Sequence, residues 1–497
     1  MKLRETAIVS AGLLIQQVTV FVTGILIARQ LGATGFGELG TLRGLSIFLL
    51  IVTPLGLDLA LLKHAAFYHE RPGELRTVSR ALRLLVATLN LAILALVAAY
   101  AGPQLQLVYQ DIANFSNLCA ITALGLVFAA DVQVSGALYR VADRVVPYAL
   151  IVNYSQPLVR LVLTGAVLAL GGGVTSIAWV NTVVFAYTFV VIAVADRGAN
   201  GRAVAPAAPI ELPALARRVR LILSESLWMA ASLLVYQAMR FADILILAAL
   251  TSAKVTGEYT AMSNVAQLIQ IYPNAISQTL GPRVAVLYQT GDLAGIRDEL
   301  QDYSRKAAVL GGVLFGGVAV FGADLDLVFG QAFSFPWQLA VLLAAGWYVS
   351  ATLAPFGYVL SMTGRHRQEL AILSVGAAVL VACLPLLIPP LGSVGAALSV
   401  FIAFVAVNVI RCVRVIRILG LNPLRWQDAL PPACFAGVAL ACSLAGDRLL
   451  AARSLPHLVA ECSAYLALAG LLYLVAFATE PERAVLIQGV MRRRRLS

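Results

Sequence analysis

Apolar stretches of about 20 residues recur from one end of this chain to the other, and they restrict the possible folds more than any other feature. A helix rises about 1.5 Å per residue, so each stretch is long enough to cross a hydrocarbon layer of about 30 Å. The stretches lack the alternation of a membrane-barrel strand. The sequence is 60% hydrophobic and only 12% charged, with a mean hydropathy of +0.87. We therefore predict an all-α polytopic membrane protein.

The apolar pattern predicts about fourteen transmembrane helices. The first stretch runs to Ala28 without a convincing small-residue cleavage site, so we assign it as a helix and not as a secretory signal. The predicted spans are residues 6–28, 39–62, 81–101, 114–139, 147–170, 174–195, 221–250, 258–288, 304–322, 336–361, 369–389, 392–416, 428–446 and 457–478.

Basic residues are distributed unevenly over the loops between these spans. Most of the 36 Lys and Arg residues lie at the termini or in alternate loops and their flanks, for example Arg76, Arg80 and Arg83. The positive-inside rule then places both termini in the cytoplasm. This topology, together with attraction to anionic lipids, explains much of the net charge of +11, so we expect no nucleic-acid partner.

The chain divides into two similar halves. Residues 196–220 are rich in Gly, Pro, Ala and Arg, which is typical of a cytoplasmic linker. A shift of 220 positions aligns the start of the chain with the sequence after this linker, and it pairs Gln17 with Gln237, Gly37 with Gly257, and Glu38 with Glu258. We predict an N-terminal six-helix lobe, a linker, a C-terminal six-helix lobe, and a last pair of helices with a basic cytoplasmic tail, at residues 1–195, 196–220, 221–420 and 421–497.

Motifs for catalysis or metal binding are weak or missing. Residues 35–40, GFGELG, have the spacing of a dinucleotide-binding loop, but they join two predicted membrane helices and follow no strand. The four histidines lack zinc-site spacing, and no P-loop sequence occurs. We therefore expect no metal site and no cofactor, and we predict a transporter and not an enzyme.

Among the arginines inside predicted spans, we single out Arg43, Arg160 and Arg240 as candidates for function. A charged side chain that faces lipid costs several kcal/mol, so such residues normally face the interior of a bundle or a water-filled cavity. We expect the same of these arginines.

Amide side chains follow helical spacing in two spans. Asn153, Gln156, Arg160 and Thr164 share one face of the first, and Asn264, Gln267, Asn274 and Gln278 share one face of the second. Each stripe indicates either hydrogen bonding between packed helices or the wall of a polar cavity. We favour the cavity, because a helix interface rarely needs so many amides in line.

Asp243 lies deep in the span 221–250, three positions after Arg240, and two interpretations are open. The two charges lower the cost of inserting each other into the membrane. Alternatively, Arg240 binds an anionic headgroup while Asp243 orients it or exchanges a proton or cation during transport. Asp58, toward the cytoplasmic end of the span 39–62, is a second candidate for coupling to Na⁺ or H⁺.

Three segments carry a resemblance to a known family. These are LGATGFGELGTL after the first span, its echo LTSAKVTGEYTAM after the seventh, and PLGLDLALLKH at the end of the second. The chain resembles the oligosaccharide-lipid flippases, the O-antigen and polysaccharide transporter branch of the multidrug/oligosaccharidyl-lipid/polysaccharide exporter superfamily. The resemblance implies two six-helix lobes in a V-shaped, MATE-like arrangement plus two C-terminal helices, working by alternating access around a central cavity.

The resemblance also implies the cargo, a polyprenyl-diphosphate-linked oligosaccharide that crosses the bacterial inner membrane for cell-surface polysaccharide assembly. Its diphosphate is expected to contact Arg240, Arg160 and Arg43. Its sugar is expected to contact cavity amides, namely Asn153, Gln156, Asn264, Gln267, Gln17 and Gln237. Membrane lipids and a polysaccharide polymerase or chain-length machinery are the other expected partners.

Two other function classes remain as alternatives. A cation-coupled multidrug or metabolite exporter of the same superfamily would use Asp243 or Asp58 for coupling. A membrane-embedded glycosyltransferase or polymerase would need a large outer loop with catalytic carboxylates, whereas the predicted outer loops are short.

Overall fold

The computed structural model describes residues 3–57, 60–61, 64, 67–68, 71–142, 144–200, 210–420, 422, 430–449 and 454–478. Every regular element in this part of the chain is a helix. The prediction of an all-α polytopic membrane protein is therefore confirmed.

The helices are numbered here in chain order, with short π and 3₁₀ segments included. They are α1 (Leu3–Val52), α2 (Pro72–Leu96, Val97–Ala101 and Gly102–Val108), α3 (Phe115–Val141), α4 (Val145–Ala149, Leu150–Ser155 and Gln156–Ala169), α5 (Val174–Asn200), α6 (Leu212–Leu250), α7 (Ala253–Ala266, Gln267–Gln270 and Ile271–Gln289), α8 (Leu293–Phe321, Gly322–Leu325 and Asp326–Phe329), α9 (Trp337–Met362), α10 (His366–Leu391), α11 (Ser393–Leu419), α12 (Leu430–Leu449) and α13 (Leu455–Leu472 and Tyr473–Phe477).

Among the described residues, 11 helices are long and apolar enough to cross a membrane. Each predicted span overlaps a helix in the described part of the chain, and three features explain the smaller number. α1 contains the first predicted span and the second as far as Val52, and the two meet at a turn of the backbone at Gly32 (φ 66°, ψ −172°), a conformation that favours glycine. α7, which has a 3₁₀ turn at Gln267–Gln270, carries too many polar side chains to qualify as an apolar span, and α12 is a shorter apolar helix.

The chain packs as two compact units. The first contains Met1–Thr260 and Leu384–Gly392, and the second contains Ala261–Cys383 and Ser393–Ser497. The predicted lobe boundaries stay a prediction. α5 continues to Asn200 and α6 begins at Leu212, so helices extend into the predicted linker from both sides.

In the first unit, α1 packs against α4 and α6, while α3 packs against α2 and α5. Buried aliphatic side chains, among them Leu82, Val86 and Val134, join α2 to α3. Lipid is as apolar as these side chains, so close van der Waals packing and not transfer out of water stabilises the contact.

In the second unit, α9 packs against α8 and α11. The two C-terminal helices pack on α8: Phe435 and Cys442 of α12 and Tyr465 of α13 form one buried cluster with Val309 and Phe321. The last pair of helices predicted from the sequence is thus attached to the second unit through α8.

Two glycines that the repeat pairs with each other lie at a helix crossing. A Cβ atom added to Gly37 of α1 would lie 1.8 Å from the carbonyl oxygen of Ala253 in α7. A Cβ atom added to Gly257 would lie 1.8 Å from the carbonyl oxygen of Ala33. Reciprocal contacts of this kind are what a twofold relation between two segments produces. The two glycines that the repeat aligns therefore face each other at this crossing.

Candidate functional site

The three arginines predicted from the sequence lie close together in the first unit. Arg43 is in α1, Arg160 in α4 and Arg240 in α6. The charge of Arg43 interacts with that of Arg240, and the charge of Arg160 interacts with that of Arg43. The side chain of Arg43 is exposed and the other two are half-buried. Like charges in one place repel each other, so an anion bound among them stabilises the cluster.

Aromatic rings contact two of these guanidinium groups. Cζ of Arg160 lies 5.6 Å from the ring centroid of Phe185. Cζ of Arg240 lies 5.7 Å from the ring of Phe241 and 5.9 Å from that of Tyr236. A cation–π contact uses the face of the guanidinium plane, whereas phosphate is recognised by its N–H edge. Nε of Arg160 is buried and makes no hydrogen bond in the described part of the chain.

Asp243 is buried in α6, and both of its oxygen atoms accept hydrogen bonds. The hydroxyl of Tyr259 in α7 donates to Oδ2 at 2.5 Å, and the backbone N–H of Ile244 donates to Oδ1 at 2.9 Å. The charge of Arg240 also attracts the carboxylate. Asp243 therefore has the charge partner suggested by the sequence and a tyrosine partner that the sequence did not indicate.

Replacing Tyr259 with phenylalanine is expected to destabilise the protein by about 1.5 to 3 kcal/mol, because a hydrogen bond to a buried carboxylate is lost. The measurement is the thermal unfolding midpoint of the purified protein. Tyr303→Phe is a matched control, since Tyr303 is also buried but donates only to the carbonyl oxygen of Ala351, at 3.4 Å. Equal shifts in the two variants would argue against a strong bond to Asp243.

α4 departs from α-helical geometry where it carries its amide stripe. Leu150–Ser155 form a π-helical turn that contains the half-buried Asn153, and the buried Gln156 follows directly. The hydroxyl of Tyr154 donates to the carbonyl oxygen of Ile8 in α1 at 2.7 Å, which fixes the turn against that helix. Such π turns occur frequently at functional sites. The sequence predicted the amides but not the change of helix type.

In the second unit, the amide stripe of α7 coincides with the 3₁₀ turn. Nε2 of Gln267 donates to Oγ of Ser263 at 3.3 Å, and Nε2 of Gln270 donates to the carbonyl oxygen of Trp347 in α9 at 3.4 Å. The bond from Gln270 to Trp347 joins two packed helices, as expected if the amides serve helix packing. Asn264 is half-buried. Sugar binding by Asn264 and Gln267 stays a prediction.

The remaining predicted site residues have different surroundings. Gln17 of α1 is exposed, and Gln237 of α6 is half-buried. Asp58 lies outside the described residues. The roles of all three in transport stay predictions.

A network of charges links α2, α3 and α5. Nε of Arg83 lies 3.6 Å from Oδ1 of Asp131, and its Nη2 lies 3.4 Å from Oδ2 of Asp196. The hydroxyl of Tyr139 donates to Oδ1 of Asp196 at 2.9 Å. Charged residues near span ends were visible in the sequence, but their pairing was not, because the partners belong to different helices.

Comparison with known protein families assigns the chain to one family. The model of a family described as polysaccharide biosynthesis protein matches residues 3–287, more than half of the chain. The chain belongs to this family. The matched region contains all three clustered arginines and Asp243.

The chain has the fold of solved membrane transporters. A structure of the lipid II flippase MurJ in an inward closed conformation matches with a TM-score of 0.67 at 12% identity, covering 94% of this chain and 98% of that chain. An inward-facing multidrug resistance MATE family transporter of the MOP superfamily matches with a TM-score of 0.65 at 13% identity, with coverages of 82% and 94%. A eukaryotic MATE transporter matches with a TM-score of 0.52 at 19% identity, with coverages of 87% and 99%.

These structural matches show the fold, which is the one expected from the sequence. No curated protein matches the sequence of this chain.

Proposed function

We propose that this protein is a flippase, a secondary transporter that moves a polyprenyl-diphosphate-linked oligosaccharide from the inner to the outer leaflet of the bacterial inner membrane. The observation that carries the proposal is the cluster of Arg43, Arg160 and Arg240 on membrane helices. A diphosphate is an anion that guanidinium groups recognise well, whereas a hydrophobic cation is repelled by them. Membership of the polysaccharide biosynthesis family supports this cargo.

In this proposal, the arginines bind the phosphate oxygens, and Asn153 and Gln156 bind the sugar hydroxyls. Amide side chains both donate and accept hydrogen bonds, as sugar hydroxyls do. Gln156 precedes Arg160 by one helical turn, so the two side chains are separated by about 6 Å along α4. That spacing suits the neighbouring phosphate and sugar of one lipid-linked headgroup.

Transport would follow alternating access and needs no covalent chemistry. A charged diphosphate is costly to place in hydrocarbon, so its neutralisation by the arginines lowers the barrier to crossing while the polyprenyl tail stays in the bilayer. A gradient of Na⁺ or H⁺ would supply the free energy, with Asp243 and Asp58 as the coupling candidates. Both termini would be cytoplasmic, and the product would enter cell-surface polysaccharide assembly.

The structural neighbours include transporters of two kinds, one for lipid-linked cargo and one for drugs. MurJ is named as a lipid II flippase, and the MATE proteins are named as multidrug resistance transporters. The arginine cluster favours the first kind, because multidrug exporters that take hydrophobic cations have no use for three adjacent positive charges.

A deletion strain is expected to accumulate the lipid-linked oligosaccharide in the inner leaflet and to lose surface polysaccharide, with mass spectrometry of the trapped lipid identifying the sugar. Purified protein in proteoliposomes is expected to move a fluorescent polyprenyl-diphosphate sugar between leaflets. Protein-free liposomes are the control. Normal surface polysaccharide in the deletion strain, together with new sensitivity to cationic drugs, would replace this proposal with the export function.

A further inference from the structure

The membrane helix that contains Arg43 is broken shortly after that residue. α1 ends at Val52, residues 53–56 (TPLG) form turns, and helical residues resume at Leu57. Leu55 and Gly56 have φ angles of 53° and 69°. The left-handed conformation is unfavourable for leucine, and strained residues of this kind persist mainly at functional sites.

The break is covered by protein. A Cβ atom added to Gly56 would lie 2.6 Å from the carbonyl oxygen of Ser226, so the backbone of α6 contacts the break directly. Thr53, Leu57 and Ser226 are each 0% exposed. Bulk water therefore does not reach the hydroxyl of Thr53, and its partner has to come from the protein or from a bound species.

The end of α1 presents carbonyl oxygens to the break. Pro54 has no N–H, so the carbonyl of Leu50 lacks the donor that an α-helix would provide. The N–H of Leu55 donates to the carbonyl of Val52, at 3.1 Å, and not to that of Ile51. These oxygens lie at the negative end of the helix dipole, which attracts cations.

Two buried side-chain oxygens lie at the same place and lack donors. Oγ1 of Thr53 and Oδ1 of Asn90 in α2 make no hydrogen bond among the described residues, and Asn90 is only 2% exposed. Nδ2 of Asn90 donates to the carbonyls of Thr53 at 3.0 Å and Val86 at 2.7 Å. Reversing the amide would place its oxygen against two carbonyl oxygens. Oδ1 is therefore fixed as an acceptor that needs a donor or a cation.

Other hydroxyl groups in α1 behave differently. Thr41 donates to the carbonyl of Gly37 at 2.9 Å, and Ser46 donates to that of Leu42 at 2.6 Å, which is the usual arrangement inside a membrane helix. Thr53 does not make this bond, so its oxygen remains available for coordination.

We propose that this break is a Na⁺ site, with Oγ1 of Thr53, Oδ1 of Asn90 and the carbonyl oxygens at the end of α1 as ligands. Unwound backbone and half-helix C-termini coordinate Na⁺ in other discontinuous membrane helices. The described ligands are neutral oxygens, which suit a monovalent cation better than Ca²⁺, whose sites usually contain carboxylates. The role of this site, which is to couple a Na⁺ gradient to transport, rests on the proposed function.

The test is binding of ²²Na⁺ to the purified full-length protein without cargo, in choline chloride at constant ionic strength. The wild type is expected to bind saturably. Thr53→Val keeps the side-chain shape but removes the ligand oxygen, and it is expected to raise the half-saturating Na⁺ concentration about tenfold or more. Thr53→Ser keeps the hydroxyl and is expected to bind like the wild type. Thr41→Val, at a buried threonine of the same helix, is the matched control and is expected to leave binding unchanged.

A cooperative thermal unfolding transition measured without Na⁺ confirms that a variant is folded. If Thr53→Val is unstable, Thr53→Ala takes its place. Wild-type affinity for Na⁺ in a folded variant that lacks the Thr53 hydroxyl, Thr53→Val or its replacement Thr53→Ala, would overturn the proposal. The absence of saturable binding by the wild type would overturn it too. Loss of flipping activity has no effect on this measurement, so failure of the proposed function is distinguishable from failure of the Na⁺ site.

Discussion

Arg240→Ala is expected to abolish surface polysaccharide in cells while the protein remains in the membrane at its normal level. Loss of a hydrogen bond to a charged group costs about 1.5 to 3 kcal/mol, which corresponds to roughly 10- to 150-fold weaker binding of the diphosphate. Arg43→Ala is expected to have at least as large an effect, because Arg43 interacts with both other charges of the cluster. The measurements are surface polymer, membrane-protein level, and affinity of the purified protein for a polyprenyl diphosphate.

Two comparisons make this result specific. Arg240→Lys keeps the charge but loses the planar pair of donors, so an intermediate affinity is expected. Arg217 is an exposed arginine near the N-terminal end of the same helix, where it donates to the carbonyl of Pro213, and Arg217→Ala is expected to leave transport unchanged. Normal polymer made by Arg240→Ala at normal expression would remove the phosphate role of the cluster.

The helices could be placed from the sequence because a membrane allows few alternatives. Hydrocarbon forces every backbone group of a span to be satisfied within that span, so an apolar stretch of sufficient length predicts a helix. Hydropathy averages over a window, however, and it did not show interruptions inside spans. The turn at Thr53–Gly56 was missed for this reason, although the sequence TPLG contains Pro54 and Gly56 as local signals.

The candidate site was predicted in part. Arg43, Arg160 and Arg240 could be selected because a charge within a span is costly unless it has a function or a partner. The sequence could not predict that the three arginines lie close together or that Asp243 bonds to Tyr259. Helical periodicity shows which face of its own helix a residue occupies, but not which other helix that face contacts. Contacts between helices are set by packing, which a single sequence does not specify.

Gly37→Ala is expected to have the largest effect on stability, because the obstacle to its new Cβ atom is backbone. Overpacking against movable side chains typically costs about 1 to 3 kcal/mol, and the carbonyl of Ala253 cannot rotate away as a side chain does. We therefore expect a loss of more than about 3 kcal/mol. A thiol-reactive dye measures unfolding conveniently, since Cys119, Cys412 and Cys442 are buried in the folded protein.

Gly165→Ala is the control for the general effect of replacing a helical glycine, because nothing lies within 4 Å of the added Cβ atom. It is expected to be neutral or to stabilise α4 by up to about 1 kcal/mol through helix propensity. Gly257→Ala provides the decisive comparison. The contacts of Gly37 and Gly257 are reciprocal, so a twofold relation between the repeats requires the two variants to unfold at similarly lowered temperatures. If Gly37→Ala unfolded at the same temperature as Gly165→Ala, the helices would not cross at these glycines. If Gly37→Ala and Gly257→Ala lowered the unfolding temperature by different amounts, the crossing would lie off the axis of the repeat.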